Sequence, residues 1–171
     1  MRRGIRGGEM SVSDYYSMLV CENGHVLTDR LERSSNDTPH CSKCGAKTIS
    51  QCPSCGAKIR GDLRDSGVVV IGYTTPAPKY CPECGAPFPW TTASLDALRE
   101  LAELDDDLDA DDADSLVKSA ETALTDGPKT KVAAMRVKKI LGKAGKATAS
   151  AARDLLVDVL AESAKRTIWP N

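Results

Sequence analysis

Residues 41–56 read CSKCGAKTISQCPSCG and contain two Cys-x-x-Cys-Gly motifs. A third such motif begins at Cys81, and an incomplete one, Cys-Glu-Asn-Gly-His, begins at Cys21. Two residues between cysteines suit a metal-binding turn, since both sulfurs can then reach one ion at about 2.3 Å. Seven thiols and one imidazole provide eight ligands, the number that two tetrahedral Zn²⁺ ions require. The candidate ligands are Cys21, His25, Cys41, Cys44, Cys52, Cys55, Cys81 and Cys84.

Disulfide bonds are the alternative explanation for so many cysteines. Seven is an odd number, and residues 1–6 are basic but lack the apolar stretch of a secretory signal. The sequence therefore favours a reducing, cytoplasmic compartment, in which cysteine pairs of this spacing bind metal. We expect two structural zinc ions per chain.

Two groupings of the ligands are compatible with this count. In the tandem grouping the first two motifs hold one ion and the last two hold the other; in the cross-braced grouping the first joins the third and the second joins the fourth. Fifteen residues separate His25 from Cys41 and twenty-five separate Cys55 from Cys81, enough for a short hairpin in each case. Only seven residues join Cys44 to Cys52, which favours the tandem grouping. His40 is the other imidazole, and because it adjoins Cys41 we expect it to be exposed or to cap a turn.

Short strands are expected around the motifs. Residues 68–73, VVVIGY, form the strongest β-pattern, and shorter apolar runs at 18–20 and 26–27 flank the first motif. These segments contain too few apolar residues for an independent core, so metal must substitute for burial. We therefore predict that zinc removal unfolds residues from about 15 to 90.

The order of the motifs resembles a bacterial family of zinc-ribbon proteins of unknown function. The segments that carry the resemblance are CxNGHV at 21–26, CSKCGAKTI at 41–49, CPxCGAxIRG at 52–61 and YCxxCGxPxPWT at 80–91. The resemblance covers most of the chain. It implies tandem zinc ribbons in the bacterial cytoplasm and implies no enzymatic activity.

The composition changes after Trp90 to an alanine-rich, cysteine-free sequence with helical periodicity. We predict a helix from Thr91 or Thr92 to about Leu104, and a second from about Asp114 to Gly127. A third should begin near Pro128, and a fourth should run from about Ala147 to Ile168. The predicted fold is α+β, with a flexible tail at 1–12, tandem zinc ribbons at 13–90 and a helical domain at 91–171.

Charge is segregated within the helical half. Residues 100–114 hold nine acids and no bases, and residues 129–146 hold seven bases and no acids. The two segments either lie near each other in one bundle or offer a basic helix to phosphates. A smaller basic patch in the ribbons comprises Lys43, Lys47, Lys58, Arg60 and Arg64.

Catalysis finds little support, since both metal sites would be closed by four protein ligands and the chain has only two histidines. The leading hypothesis is a non-enzymatic adaptor whose ribbons bind a protein partner and whose helical tail mediates association. The alternatives are nucleic-acid binding, through residues 43–64 and the helix at 129–146, and the membrane-associating tail of a stress or phage-defence protein. No stretch is long enough to span a bilayer, so any membrane contact would be peripheral. Trp169, near the end of the sequence, is a further candidate contact residue.

Overall fold

A computed structural model of the chain describes residues 14–35, 37–64 and 72–170. The chain divides into two compact units, Met1–Phe88 and Pro89–Asn171, which we call the cysteine-rich unit and the helical unit. The predicted N-terminal tail and most of the predicted strand at 68–73 lie outside the described residues. Antiparallel sheets precede five helices, which confirms the α+β class predicted from the sequence.

The described residues of the cysteine-rich unit form two small sheets. Its strands are β1 (Tyr15–Ser17), β2 (Leu19–Cys21), β3 (Val26–Thr28), β4 (Thr48–Ile49) and β5 (Arg60–Leu63). One sheet has the order β3-β2-β4 and the other pairs β1 with β5, all antiparallel. Strand β2 is central because Leu19, Val20 and Cys21 are all buried, whereas β3 and β4 are half-buried edges. The end of β2 thereby places Cys21 in the interior.

The pairing of β1 with β5 connects two motifs that the tandem grouping assigns to different metal ions. Strand β1 precedes the Cys21 motif, and β5 follows the Cys52 motif. Tyr15 is in register with Leu63, and the Met18 N–H donates to the Ile59 carbonyl at 2.8 Å. Met18 and Ile59 are both almost fully buried. A small apolar core thus joins the Cys21 motif to the Cys52 motif.

A close backbone approach at Gly61 fastens the loop after β3 onto β5. A Cβ atom built on Gly61 would lie 2.0 Å from the Asp29 carbonyl oxygen, so only glycine fits. The Asp62 N–H donates to the same carbonyl at 2.9 Å. Arg30 donates from Nε and Nη2 to Asp62 Oδ2 at 2.8 and 2.6 Å. The loop and the strand are therefore held by backbone and charged side chains together.

Five helices form the helical unit. They are α1 (Pro89–Glu103), α2 (Ala110–Ala123), α3 (Thr130–Leu141), α4 (Lys146–Leu156) and α5 (Glu162–Ile168). Helix α1 begins two residues before the predicted cap, with Pro89 in the first turn, where its missing N–H is not needed. Helix α2 begins four residues before the predicted Asp114, because the Asp109 carboxylate caps it by accepting from the Asp112 N–H at 2.7 Å.

The single helix predicted from about Ala147 to Ile168 is wrong, since the chain breaks between α4 and α5. Ala161 adopts an extended conformation, and its N–H donates to the Ala123 carbonyl at the end of α2 at 2.9 Å. Val159, Leu160 and Ala161 are buried in the connection. The break lets α4 pack against α1 while α5 packs against α3, which one straight helix could not do.

Asp105 joins the α1–α2 connection to the start of α4. Its carboxylate accepts from the Asp107 N–H at 2.9 Å and from the Gly145 N–H, at the N-terminus of α4, at 3.0 Å. The Thr148 hydroxyl lowers the pKa of Asp105, burial opposes this shift, and the two N–H groups lower the pKa further. Asp105 therefore acts as a cap supplied from another element.

Candidate metal centre

Three of the four motifs form the same backbone turn. The N–H of the first cysteine donates to the carbonyl five residues later, at 2.8, 2.7 and 2.8 Å for Cys41, Cys52 and Cys81. The glycine after each motif donates to that first cysteine's carbonyl at 2.8 Å and has φ of +73°. A positive φ requires glycine there, so the Cys-x-x-Cys-Gly pattern is explained by the turn itself.

The first cluster joins the Cys21 motif to the Cys41 motif. The His25 Nδ1 atom lies 3.5, 3.8 and 3.3 Å from the sulfurs of Cys21, Cys41 and Cys44, and the Cys21 and Cys44 sulfurs are 3.7 Å apart. The His25 N–H donates to the Cys21 sulfur at 3.3 Å, and Asn23 Nδ2 approaches the Cys44 sulfur at 3.5 Å. The glycine turn at Gly24 supplies the extra residue that brings an imidazole to the position of the second thiol.

The second cluster joins the Cys52 motif to the Cys81 motif. Its sulfurs approach at 3.8 Å between Cys52 and Cys84 and at 3.7 Å between Cys55 and Cys81. All four donor atoms of each cluster lie within 4.8 Å of one another. The structure therefore groups the ligands consecutively along the chain.

These separations fit a tetrahedral ion and not a disulfide. For metal–sulfur bonds of about 2.3 Å, the edge of a tetrahedron is about 3.8 Å between sulfurs and about 3.6 Å between sulfur and an imidazole nitrogen. Bonded sulfurs would lie about 2.05 Å apart, and all seven cysteines are free. Among the described residues, the groups of histidine, cysteine and acidic side chains with metal-binding geometry are these two. Both could hold a metal ion.

Burial alternates within the motifs. The leading cysteine of every motif is at most 4 % exposed, whereas Cys44, Cys55 and Cys84 face solvent. Each cluster therefore has one wall inside the unit and one at its surface, and the four donors surround the central space.

Neighbouring thiols compete for ionisation, so the pKa values within the clusters lie on both sides of the ordinary thiol value. Burial opposes ionisation of Cys41, but the N–H groups of Lys43 and Cys44 and neighbouring thiols lower its pKa to about 6. Burial likewise opposes ionisation of Cys52, yet the N–H groups of Ser54 and Cys55 lower its pKa to about 7. At Cys55 the Ala57 N–H favours the thiolate, but the thiols of Cys84, Cys81 and Cys52 together with burial raise the pKa to about 12. A divalent cation would remove this conflict, because it stabilises several thiolates at once.

His40 lies outside both clusters. It is exposed and pairs through its backbone with Lys47. Together with His25, Leu27 and Lys43 it lines an open cavity of about 300 Å³ beside the first cluster.

Most of the predicted basic patch is paired with Glu32 and Glu83, two acids that lie outside residues 43–64. Lys58 and Arg64 approach Glu32 at 3.8 and 3.1 Å, and Arg60 approaches Glu83 at 2.9 Å. Within the described part of the chain, Lys43 and Lys47 form no ion pair. Burial opposes ionisation of Glu32, but hydrogen bonds from the Ser17 N–H and hydroxyl and the charge of Arg64 lower its pKa.

Arginine–aromatic stacking accompanies these ion pairs. Arg60 lies 5.5 Å from the Tyr15 ring centre and Arg64 lies 4.9 Å from that of Tyr16. In the helical unit, Trp169 is partly buried and stacks with Arg153 at 5.7 Å. Charge spacing alone does not reveal such contacts, since they depend on strands that pair across the sequence.

These observations define a class: a chain with two four-donor clusters able to bind metal in one unit, and a second unit made of helices. Within the described residues, none of the helices has the length and apolar character needed to cross a membrane. The chain belongs to DUF2321, a family described as an uncharacterized protein conserved in bacteria, whose profile matches residues 14–168. Neither the curated proteins nor the solved structures contain a significant match.

Proposed function

We propose that both clusters hold zinc and that the zinc is structural. The observation that carries this proposal is the pair of closed four-donor clusters, whose edges fit a tetrahedron with mostly thiolate donors. Zinc prefers this geometry and donor set and has no redox chemistry of its own. Since four protein donors complete each site, the metal would supply folding free energy and no open position for catalysis.

Metal analysis of the purified chain tests this step. We expect two zinc ions per chain, and an absorption band of a cobalt-substituted sample typical of tetrahedral thiolate sites. The His25→Ala variant should alter the cobalt spectrum of the first cluster and leave that of the second. One ion per chain, a disulfide or stoichiometric iron would contradict the zinc assignment.

The role that this scaffold best supports is that of a non-enzymatic adaptor in the bacterial cytoplasm. The cysteine-rich unit would bind a protein partner through surfaces that the metal turns hold in place. Arginine and tyrosine dominate the energetics of many protein interfaces, and here Arg60 stacks on the partly exposed Tyr15, while Lys43 and Lys47 of the basic patch are exposed. The helical unit would mediate association.

Crosslinked capture from the native host tests the adaptor role. A partner should be retained by the metal-loaded chain, lost by the Lys43→Glu/Lys47→Glu variant and retained by Arg166→Glu, an exposed control in the helical unit. Equal capture by all three chains would exclude the patch as the contact. The absence of any saturable partner would count against the adaptor role itself.

Nucleic acid and membrane remain alternatives with less support. Three of the five cations in the 43–64 patch are paired with glutamates, which reduces its field. A salt titration with single-stranded and duplex oligonucleotides tests the first alternative, and flotation with anionic vesicles tests the second.

A further inference from the structure

The segregated charges of the helical unit are mostly left without ion pairs. Of the nine acids at 100–114, Asp112 pairs with Lys143 and Asp114 pairs with Arg99. Asp105 is buried and accepts hydrogen bonds from the N–H groups described above. The other six are exposed and form no ion pair within the described residues: Glu100, Glu103, Asp106, Asp107, Asp109 and Asp111. We call residues 100–111 the acidic segment.

The outer face of α3 carries the opposite charge around an apolar centre. Successive residues of a helix are about 100° apart, so Val132, Met135 and Lys139 share one side of α3. Further cations flank this side: Lys131 and Lys138 on one edge, and Lys129 and Arg136 on the other. The opposite side is buried through Ala133, Ala134, Val137, Ile140 and Leu141. Val132 and Met135 are 52 % and 58 % exposed. The five cations are exposed and, in the part of the chain that the structure describes, form no ion pair.

The acidic segment has an apolar centre of its own. Leu104 is 82 % exposed, the most exposed of the large hydrophobic residues in the described chain, and it lies between Glu103 and the aspartates at 106 and 107. An apolar centre with a charged rim is typical of a protein interface. The acidic segment and the α3 outer face therefore match in charge and in pattern.

A cavity of about 370 Å³ adjoins the α3 outer face. Lys118, Lys129 and Arg136 line it together with Val132, and its lining contains no acid. Three cations from two helices thus converge on a space large enough for side chains. The lining is without aromatic rings on which bases could stack, which favours an acidic protein segment over single-stranded nucleic acid.

We propose that the acidic segment of one copy of this chain docks onto the α3 outer face of a second copy, with Leu104 against Val132 and Met135. This inference rests on the association role proposed above for the helical unit and names its partner. Both surfaces belong to every copy, so the contact is between unlike patches. It closes into a dimer if two such contacts form together, and it extends into a chain if they do not.

Sedimentation of the metal-loaded full chain tests the proposal. At about 10 mM salt the Debye length is about 30 Å, and the average mass should rise with protein concentration above that of the monomer. At about 1 M salt the Debye length is about 3 Å, and the average mass should fall to that of the monomer. The basic variant Lys129→Glu/Arg136→Glu/Lys139→Glu and the acidic variant Glu103→Lys/Asp106→Lys/Asp107→Lys should each associate roughly a hundredfold more weakly.

A rescue experiment mixes the two variants. The acidic variant retains its native α3 outer face and the basic variant retains its native acidic segment, so the mixture offers one native contact and should form a complex of one copy of each. Leu104→Ser should weaken association about tenfold, because a leucine loses its burial. Val157→Ser, an exposed apolar control, and Arg166→Glu, a charge control, should leave it unchanged.

Three results would overturn the proposal: a native chain that stays monomeric at low salt, association that charge reversal does not change, or a mixture of variants that forms no complex. Binding of an oligonucleotide to the α3 outer face of a monomeric chain would also overturn it and assign that face to nucleic acid. Zinc content is measured in every sample. A chain with two zinc ions that does not associate refutes this contact alone, whereas a chain without zinc refutes the proposed metal scaffold.

Discussion

The close approach at Gly61 permits a sharp prediction for Gly61→Ala. Gly61 does not have a positive φ, so the backbone accepts alanine and only space opposes it. The new Cβ would lie 2.0 Å from the Asp29 carbonyl oxygen, which must retreat by about 1 Å or more. Overpacking of this kind costs about 1–3 kcal/mol, and loss of the hydrogen bond from the Asp62 N–H adds about 1 kcal/mol. We expect the free energy of unfolding of the cysteine-rich unit to fall by about 2–4 kcal/mol.

Urea unfolding with amide hydrogen exchange measures this effect in the right unit. With a slope of about 1 kcal/mol per molar urea, the midpoint should fall by about 2–4 M, and the amides of Met18 and Asp62 should exchange faster. Gly127→Ala is the control, since its nearest neighbour would be 3.9 Å away. That change should be neutral or stabilise by up to about 1 kcal/mol. If both variants unfold alike, the steric reasoning at Gly61 is refuted.

Three further predictions concern the turns, the metal and pH. Gly56→Ala should destabilise the second cluster by about 1–2 kcal/mol, because alanine disfavours φ of +73° although the space around a Cβ is open. The measurement is the urea concentration at which metal is released, which should be lower for the variant. Unchanged release would show that the turn tolerates a Cβ. Removal of metal by a chelator should abolish the near-ultraviolet circular dichroism of Tyr15, Tyr16, Tyr73 and Tyr80, while the far-ultraviolet signal of the helices persists. Loss of both signals together would mean that the two units do not fold separately. The folded-state pKa of Asp105 is lowered, so the stability that it contributes is present above the unfolded pKa of about 4 and is lost as pH falls through the folded pKa. Asp105→Asn should remove this acid-dependent loss of stability from thermal melting curves. Identical pH profiles of the two chains would contradict the capping role.

The fold could be predicted to the extent that local signals determine it. The cysteine spacing and the glycines define the turns, since each turn is completed within a few residues, and the strong apolar periodicity marks the helices. The break between α4 and α5 could not be predicted in this way. It depends on a hydrogen bond from Ala161 to Ala123, far away in the sequence, and no proline or glycine marks it.

The basic patch at 43–64 illustrates the same limit for surface sites. A cluster of cations in the sequence indicates an electrostatic surface only if no acids fold onto it. Glu32 reaches Lys58 and Arg64 because it is hydrogen-bonded to Ser17 of β1, and β1 pairs with the distant β5. The donor clusters were easier to predict because cysteine is rare and its chemistry is specific.

The pairing of β1 with β5 also sets an order of events during synthesis. All four donors of the first cluster have been translated by Cys44, but β1 has no partner until residues 60–63 follow. At about 5–20 residues per second this delay lasts about 1–4 seconds. During that interval metal, and not the sheet, is the available restraint on the nascent segment. If the first cluster binds zinc, as proposed above, zinc supply at the ribosome affects how often the exposed edge of β1 meets another chain before its own partner strand arrives.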